Sequence, residues 1–275
     1  MSLTSFFFKD KVTSIGVFIA FFGAYLLIPN YFDANIFSLQ ASQELWMSLD
    51  PSWGIALNYV ELKNLTWGTD VAFTYGPLAH LCTRFGWGEN KYSFLFFDLF
   101  VFINYFSLFF ISFIRSQNKI ITSLLIILIC LFFPLWFGSS HALILMAILV
   151  FWIRLSLDNP KPIYYLFQIF IITLLFFIKF NTGLISFPLF LSGIMCNLIN
   201  RNGNKFYLIT YLILPILLIL ALSFPLNVSI FAYIKSGIEI VSGYNDVMFL
   251  DNQINGSYSY LILLVLILTV IIFVN

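Results

Sequence analysis

The chain has 275 residues, of which 61% are apolar and only 9% are charged, and its mean hydropathy is +0.99. Soluble domains carry about 25% charged residues, so too few polar side chains are present to cover a water-soluble body of this size. Thirteen basic residues against twelve acidic ones give no basic field and exclude nucleic-acid binding. The composition predicts an all-α, polytopic transmembrane helical bundle.

Eight apolar runs of transmembrane character follow one another along the chain. They are Val12–Pro29, Tyr92–Ile114, Ile120–Phe137, Ala142–Leu157, Ile163–Ile178, Leu184–Ile199, Phe206–Phe224 and Tyr260–Val274. They predict about eight spans in a single transmembrane domain over residues 1–275. Because the chain stops just after the last run without a basic flank, we expect the protein to be partial at the C-terminus.

The basic residues indicate the orientation of these spans. With a cytoplasmic N-terminus, the inner segments hold eight of the thirteen cations: Lys9, Lys11, Arg115, Lys119, Arg154, Lys161, Arg201 and Lys205. The outer segments hold five cations and nine acids. This is the positive-inside pattern, and it predicts a multi-pass protein whose N-terminus is cytoplasmic.

Two long segments lie on the predicted outer side, at residues 30–91 and 225–259. Long loops are usually functional or disordered, and these are rich in Trp, Tyr, Gly and single charges, so we expect the active side to be the outer one. Each segment repeats apolar residues at helical spacing: Phe37, Ala41, Leu45 and Leu49 in the first, and Ile230, Ile234, Ile238 and Val241 in the second. This spacing predicts an amphipathic helix on the membrane surface in each loop, with packing inside the loop as the alternative.

The densest motif runs from Trp67 to His80. Gly68 and the Gly76-Pro77 pair favour turns at its two ends. Between them an acid, a tyrosine and a histidine come close together in sequence: Asp70, Tyr75 and His80. Another acid, Asp33, follows the first apolar run. Each of these residues has a structural alternative to a role in function. Asp70 would then cap a turn, and Asp33 would be the N-cap of the surface helix. Tyr75 would be an aromatic residue of the membrane interface.

The order of these elements resembles the GT-C superfamily of integral-membrane glycosyltransferases. An acid after the first span, a surface helix around Glu44-Leu45-Trp46, and Trp67-Gly68-Thr69-Asp70 followed by Tyr75-Gly76-Pro77-Leu78 match that order. Phe73-Thr74-Tyr75-Gly76-Pro77-Leu78 also looks like a motif of bacterial membrane proteins often placed near that superfamily. Many members have Asp-Glu after the first span where this chain has Asp33-Ala34, which leaves both Asp33 and Asp70 as candidates for the catalytic acid.

The resemblance implies an enzyme of the bacterial inner membrane that acts on the outer face. It implies transfer of a sugar, with inversion, from a polyprenyl-phosphate donor to a glycan, lipid or protein acceptor. A carboxylate, Asp33 or Asp70, would be the general base. No cofactor is expected; the alternative is a divalent cation at the carboxylates, which no ligand spacing supports. No glycine-rich phosphate loop for a nucleotide occurs in the sequence.

Further polar residues are candidates for substrate binding, together with Tyr75 and His80. Lys179 ends an almost wholly apolar run, where a charge is costly and suggests function; the alternative is a lysine that snorkels to the outer interface. With Arg84 and Lys235 it would bind the departing lipid phosphate. Asp98 lies inside a span, where a carboxylate is expected to face the bundle interior. Asn245 and Asp246 belong to a Gly-Tyr-Asn-Asp sequence that predicts a sugar-binding turn.

Two other functions use the same residues. A transporter or flippase for a lipid-linked saccharide would bind with the cations and Asp98, although no paired half-repeats appear in the sequence. A polysaccharide polymerase or ligase also has one large outer loop, and outer arginine pairs would favour it. Arg84 is the only outer arginine.

Overall fold

The computed structural model describes residues 11–28, 49–83, 91–137, 141–200 and 205–247. Within these ranges every regular element is a helix, which confirms the all-α prediction. The helices are α1 (Lys11–Leu27), α2 (Leu49–Leu62), α3 (His80–Thr83), α4 (Lys91–Arg115), α5 (Lys119–Phe137), α6 (His141–Asp158), α7 (Pro162–Ile178), α8 (Phe180–Ile199), α9 (Lys205–Ser223) and α10 (Ile230–Val247).

Three helices are long and apolar enough to cross a membrane: Tyr92–Arg115 within α4, and the whole of α8 and α9. Shorter apolar helices occur at Thr13–Leu27, Lys119–Leu131 and Pro162–Ile178. Seven of the eight predicted apolar runs therefore form helices, and the eighth, Tyr260–Val274, lies outside the described residues. The predicted surface helix around Phe37–Leu45 lies outside them as well.

The chain divides into two compact units, and the first contains α1, most of α4 and α5. Gly16, Ala20, Gly23 and Ala24 form the buried face of α1. A Cβ atom on Gly23 would lie 3.2 Å from Cys130 of α5 and 3.2 Å from Phe109 of α4. Small residues let helix backbones approach closely where no hydrophobic effect drives helices together, so this face determines the packing of the first unit.

The second unit contains α2, α3, the start of α4 and the helices α6 to α9 with most of α10. Its central element is α7, which packs against α6, α8 and α9. Buried polar side chains link these helices: Gln168 of α7 donates to the Trp152 carbonyl at 3.0 Å, and Asn197 of α8 donates to the Tyr165 hydroxyl at 2.9 Å. Such bonds fix the register of apolar helices.

Candidate functional site

The site is built around a break between α7 and α8 at Lys179. Its backbone is extended, with φ −150° and ψ 113°, so Lys179 is the C-cap of α7 and also the N-cap of α8. The extended residue pairs with Tyr75 in an antiparallel bridge. Gly76 N donates to Ile178 O at 3.0 Å, and Phe180 N donates to Thr74 O at 2.8 Å. The Trp67–His80 motif is therefore fastened by its backbone to the end of a buried helix.

This pairing brings the Lys179 side chain over Tyr75. The ammonium lies 4.6 Å from the centre of the Tyr75 ring and donates to its hydroxyl at 3.3 Å. Both side chains are half-buried. In the part of the chain that the structure describes, no carboxylate forms a salt bridge with Lys179. A cation on an aromatic face is only partly compensated, and Lys179 can therefore bind an anion.

The start of the motif is held by the segment between α9 and α10. Trp67 N donates to Asn227 O, and Ser229 N donates to Trp67 O, both at 3.0 Å. The Asn227 side chain donates to the carbonyls of Asn64 and Leu65. Three segments that are far apart in sequence, and that the charge pattern predicts to be on one side, thus meet in one place.

Tyr233 of α10 packs beneath these contacts. It is 1% exposed, and its hydroxyl donates to the Phe176 carbonyl at 3.3 Å. Burial raises the pKa of this hydroxyl well above its ordinary range, so it stays a donor. The ring meets Phe176 and Phe180 edge-on, at 5.6 and 5.7 Å. Tyr233 therefore supports both sides of the Lys179 break.

Gly76 is in close contact with the backbone of α7, and we expect Gly76→Ala to destabilise the protein by about 3 kcal/mol. An added Cβ would lie 2.4 Å from the Phe177 carbonyl oxygen and 2.5 Å from the Tyr233 hydroxyl. The carbonyl belongs to the backbone and cannot move without breaking the pairing. Thermal unfolding of the purified protein in detergent should shift down by about 6–12 °C.

The matched control is Gly243→Ala in α10, where an added Cβ meets no atom within 4 Å. Alanine is the better helix former, so this variant should unfold at the same temperature or slightly higher. Equal losses in both variants would contradict the close approach at Gly76.

The structure places the other predicted residues differently. Asp70 is exposed, and its carboxylate accepts from Thr66 N at 2.8 Å, which caps the turn that Gly68 begins. His80 is buried, with Nδ1 3.2 Å from Pro77 O and Nε2 3.3 Å from the Ser93 hydroxyl. Asp98 is buried on α4 at 5% exposure. The Lys179 ammonium contacts the Tyr75 side chain, and among the described residues no hydrogen bond or ion pair joins it to Asp70, His80 or Asp98.

The remaining predicted residues lie at or beyond the edges of the described chain. Lys235 is exposed on α10, and no hydrogen bond or ion pair joins it to the Tyr75–Lys179 pair among the described residues. Asp33 and Arg84 lie outside those residues. The predicted Gly-Tyr-Asn-Asp turn was wrong, because α10 continues through Asn245 and Asp246 to Val247. Glycine and asparagine at the end of an amphipathic helix cost too little to break it.

Asn181, in the first turn of α8, was not predicted. Its Oδ1 is buried and has no hydrogen-bond partner among the described residues. Leaving a buried oxygen unpaired costs free energy. Asn181 Oδ1, two residues after Lys179, can therefore accept a hydrogen bond from a ligand hydroxyl group. The signal was present in the sequence, because Asn181-Thr182-Gly183 follows Lys179 directly, but these residues were interpreted as a connection between spans.

Among the described residues, no three His, Cys, Asp or Glu side chains come together as a metal site would require. Comparison with known proteins adds no neighbour: no protein-family model matches the chain, and neither does a curated protein or a solved structure.

Proposed function

We propose that the chain is a membrane glycosyltransferase that moves a sugar from a polyprenyl-phosphate donor to an acceptor on the outer face of the bacterial inner membrane. The observation that carries this proposal is the Lys179 ammonium, which is held over Tyr75 and has no salt bridge to a carboxylate in the described chain. It lies directly before α8, a helix apolar enough to cross the membrane. A cation at the end of such a helix is suited to the phosphate of a lipid.

The proposal includes the eight-span topology with a cytoplasmic N-terminus. The convergence of residues 64–80, 177–180 and 223–233 supports it, because the charge pattern assigns all three segments to the outer side. Nucleotide sugars are made in the cytosol, so an outer site favours a donor that the membrane itself supplies. In this proposal the lipid bilayer both surrounds the protein and supplies its donor substrate.

A groove in the same unit supports a lipid substrate. It has a volume of about 620 Å³ and lies between α4, α7 and α9. Its walls are apolar side chains, among them Phe100, Phe167, Leu214 and Leu218. An open apolar groove of this kind accommodates a hydrocarbon chain.

In the proposed reaction a carboxylate takes the proton from an acceptor hydroxyl. The hydroxyl oxygen forms a bond to the anomeric carbon as the bond from that carbon to the phosphate oxygen breaks, with inversion. The electron pair leaves with the lipid phosphate, whose charge Lys179 stabilises. We assign the base to Asp33, since the turn-capping bond to Thr66 accounts for Asp70 without catalysis.

The test uses the purified full-length chain in lipid nanodiscs with a panel of radiolabelled polyprenyl-phosphate sugars and a cell-envelope acceptor fraction. We expect release of polyprenyl phosphate together with labelled acceptor, and no turnover when nucleotide sugars replace the lipid donors. Binding of the lipid donor without transfer would favour the transporter function instead. Absence of both binding and transfer would refute the proposal.

A further inference from the structure

The helix α10 has an apolar surface wider than its contact with the protein. One flank of α10 packs against the second unit through Tyr233, which is 1% exposed, and through Ile230, Ile234 and Val241. On the adjoining flank Phe231 is 89% exposed and Ile238 is 50% exposed. These two residues are seven positions apart, which places them two turns apart on one face of the helix. The predicted helix is thus confirmed, although three of its four periodic apolar residues pack on the protein and only Ile238 lies outside the packed face.

Two contacts fix the level at which α10 lies. Tyr233 and Gly237 pack on Phe180, the first residue of α8, and a Cβ on Gly237 would lie 2.6 Å from the Phe180 ring. The chain enters α10 from the end of α9, at Ser223. Both α8 and α9 are long and apolar enough to span the membrane. A helix held at the ends of two such spans lies at the membrane interface.

Large apolar side chains are also exposed at the end of α9, from which the chain enters α10. Phe224, the residue after that helix, is 92% exposed, and Leu217 and Leu220 of α9 are 54% and 49% exposed. Since these side chains belong to a membrane-spanning length of chain, lipid is what covers them. Phe231 follows Phe224 by seven residues. The connection between them contains the exposed Asn227, and large apolar side chains are exposed on both sides of it.

The charges on α10 agree with contact to lipid rather than to another protein. Lys235 is exposed one turn after Phe231 and one turn before Ile238, and Glu239 is exposed further round the helix. A lysine beside inserted apolar residues extends its stem along them and places its ammonium among lipid phosphates. Lys235 is then a headgroup ligand.

We infer that α10 is a membrane anchor whose Phe231 and Ile238 insert into the outer leaflet beside the end of α9. This inference rests on α9 crossing the membrane and does not depend on the proposed reaction. Because Tyr233 on the other flank supports Phe176 and Phe180, the anchor holds the Tyr75–Lys179 pair at the depth of the lipid headgroups. The partner is a lipid surface.

The test places a bimane fluorophore on single cysteines at three positions of α10 in the full chain. Phe231→Cys and Ile238→Cys report on the proposed inserted flank, and Glu239→Cys is the matched exposed control on the same helix. Cys196 is exposed and is replaced by serine, whereas Cys82 and Cys130 are buried. The labelled protein is reconstituted into liposomes that contain phosphatidylglycerol.

Two quenchers then distinguish lipid from water. A nitroxide on the fifth acyl carbon of the lipid should quench the labels at 231 and 238 at least twofold more than the label at 239. Iodide in the buffer should quench the label at 239 at least threefold more than the other two. Equal iodide quenching at all three positions would overturn the anchor. Protection of 231 and 238 from both quenchers would also overturn it, since a protein neighbour would then cover this flank.

Discussion

Replacing Lys179 by glutamine is expected to weaken the binding of polyprenyl phosphate by about 10- to 100-fold, because a neutral amide cannot replace a charge-assisted contact with phosphate. Sugar transfer should fall by about 100-fold, since the charge on the phosphate grows as the bond to the sugar breaks. Lys179→Arg should recover part of the binding, because the charge is kept although the guanidinium is larger and planar. Binding is measured by titration in nanodiscs, and transfer with a polyprenyl-phosphate sugar.

The chain contains a matched control for this substitution. Lys63 is exposed just after α2, and its ammonium lies 5.4 Å from the centre of the Tyr59 ring, which is a longer version of the Lys179–Tyr75 contact. Lys63→Gln should bind and transfer as the wild type does. Thermal unfolding should stay within about 2 °C of the wild type in all three variants. Unchanged lipid-phosphate binding in Lys179→Gln would reduce Lys179 to an interfacial anchor and remove the main support for the proposed leaving group.

The two candidate carboxylates are expected to differ sharply when each is changed to asparagine. Asp33→Asn should lower transfer by at least about 100-fold while donor binding persists, because removal of a general base affects the transition state more than the ground state. Asp70→Asn should stay within about threefold of the wild-type rate, since asparagine is as good a cap as aspartate for Thr66 N.

Single-turnover rates with bound donor make this comparison, because they separate the chemical step from binding. Measurement of donor affinity in each variant is the control. If Asp70→Asn is the inactive variant, the base is Asp70 and its capping bond is secondary. Wild-type rates in both variants would refute the proposal that the chain is a glycosyltransferase.

Helix positions were the part of the fold that the sequence predicted best, since long apolar runs have one structural solution in a membrane. Pro188 and Pro215 lie inside two of these runs, and α8 and α9 continue through them. A proline inside a membrane helix is tolerated because groups on neighbouring helices can bind the backbone carbonyl that the proline leaves unpaired. The sequence predicted that α8 begins at Leu184, because Asn181 and Gly183 are typical of loops. The helix begins at Phe180 instead, where the Phe180 ring packs against Tyr233.

The candidate site was predicted only as a set of residue types. Lys179 and Tyr75 were both identified, but no local pattern indicates that they pair, because their backbone bridge joins positions 104 residues apart. The role of Tyr233 was missed for the same reason. It depends on Gly76 and Phe176, neither of which is near it in sequence. The helical spacing of apolar residues predicted that α10 is a helix. It did not predict which side of the helix packs against the protein.

The contact between Thr66 and Asn227 has a consequence for biosynthesis, because these residues are 161 positions apart. Ribosomes add about 5–20 residues per second, so roughly 10–30 s pass between the synthesis of the Trp67 segment and that of the residues that hold it. During this interval Trp67 lacks the neighbours that later cover it. Folding of the Trp67 segment must therefore wait until α9 and the residues after it have been synthesised, and until then the nascent chain exposes an aromatic stretch that a chaperone would shield.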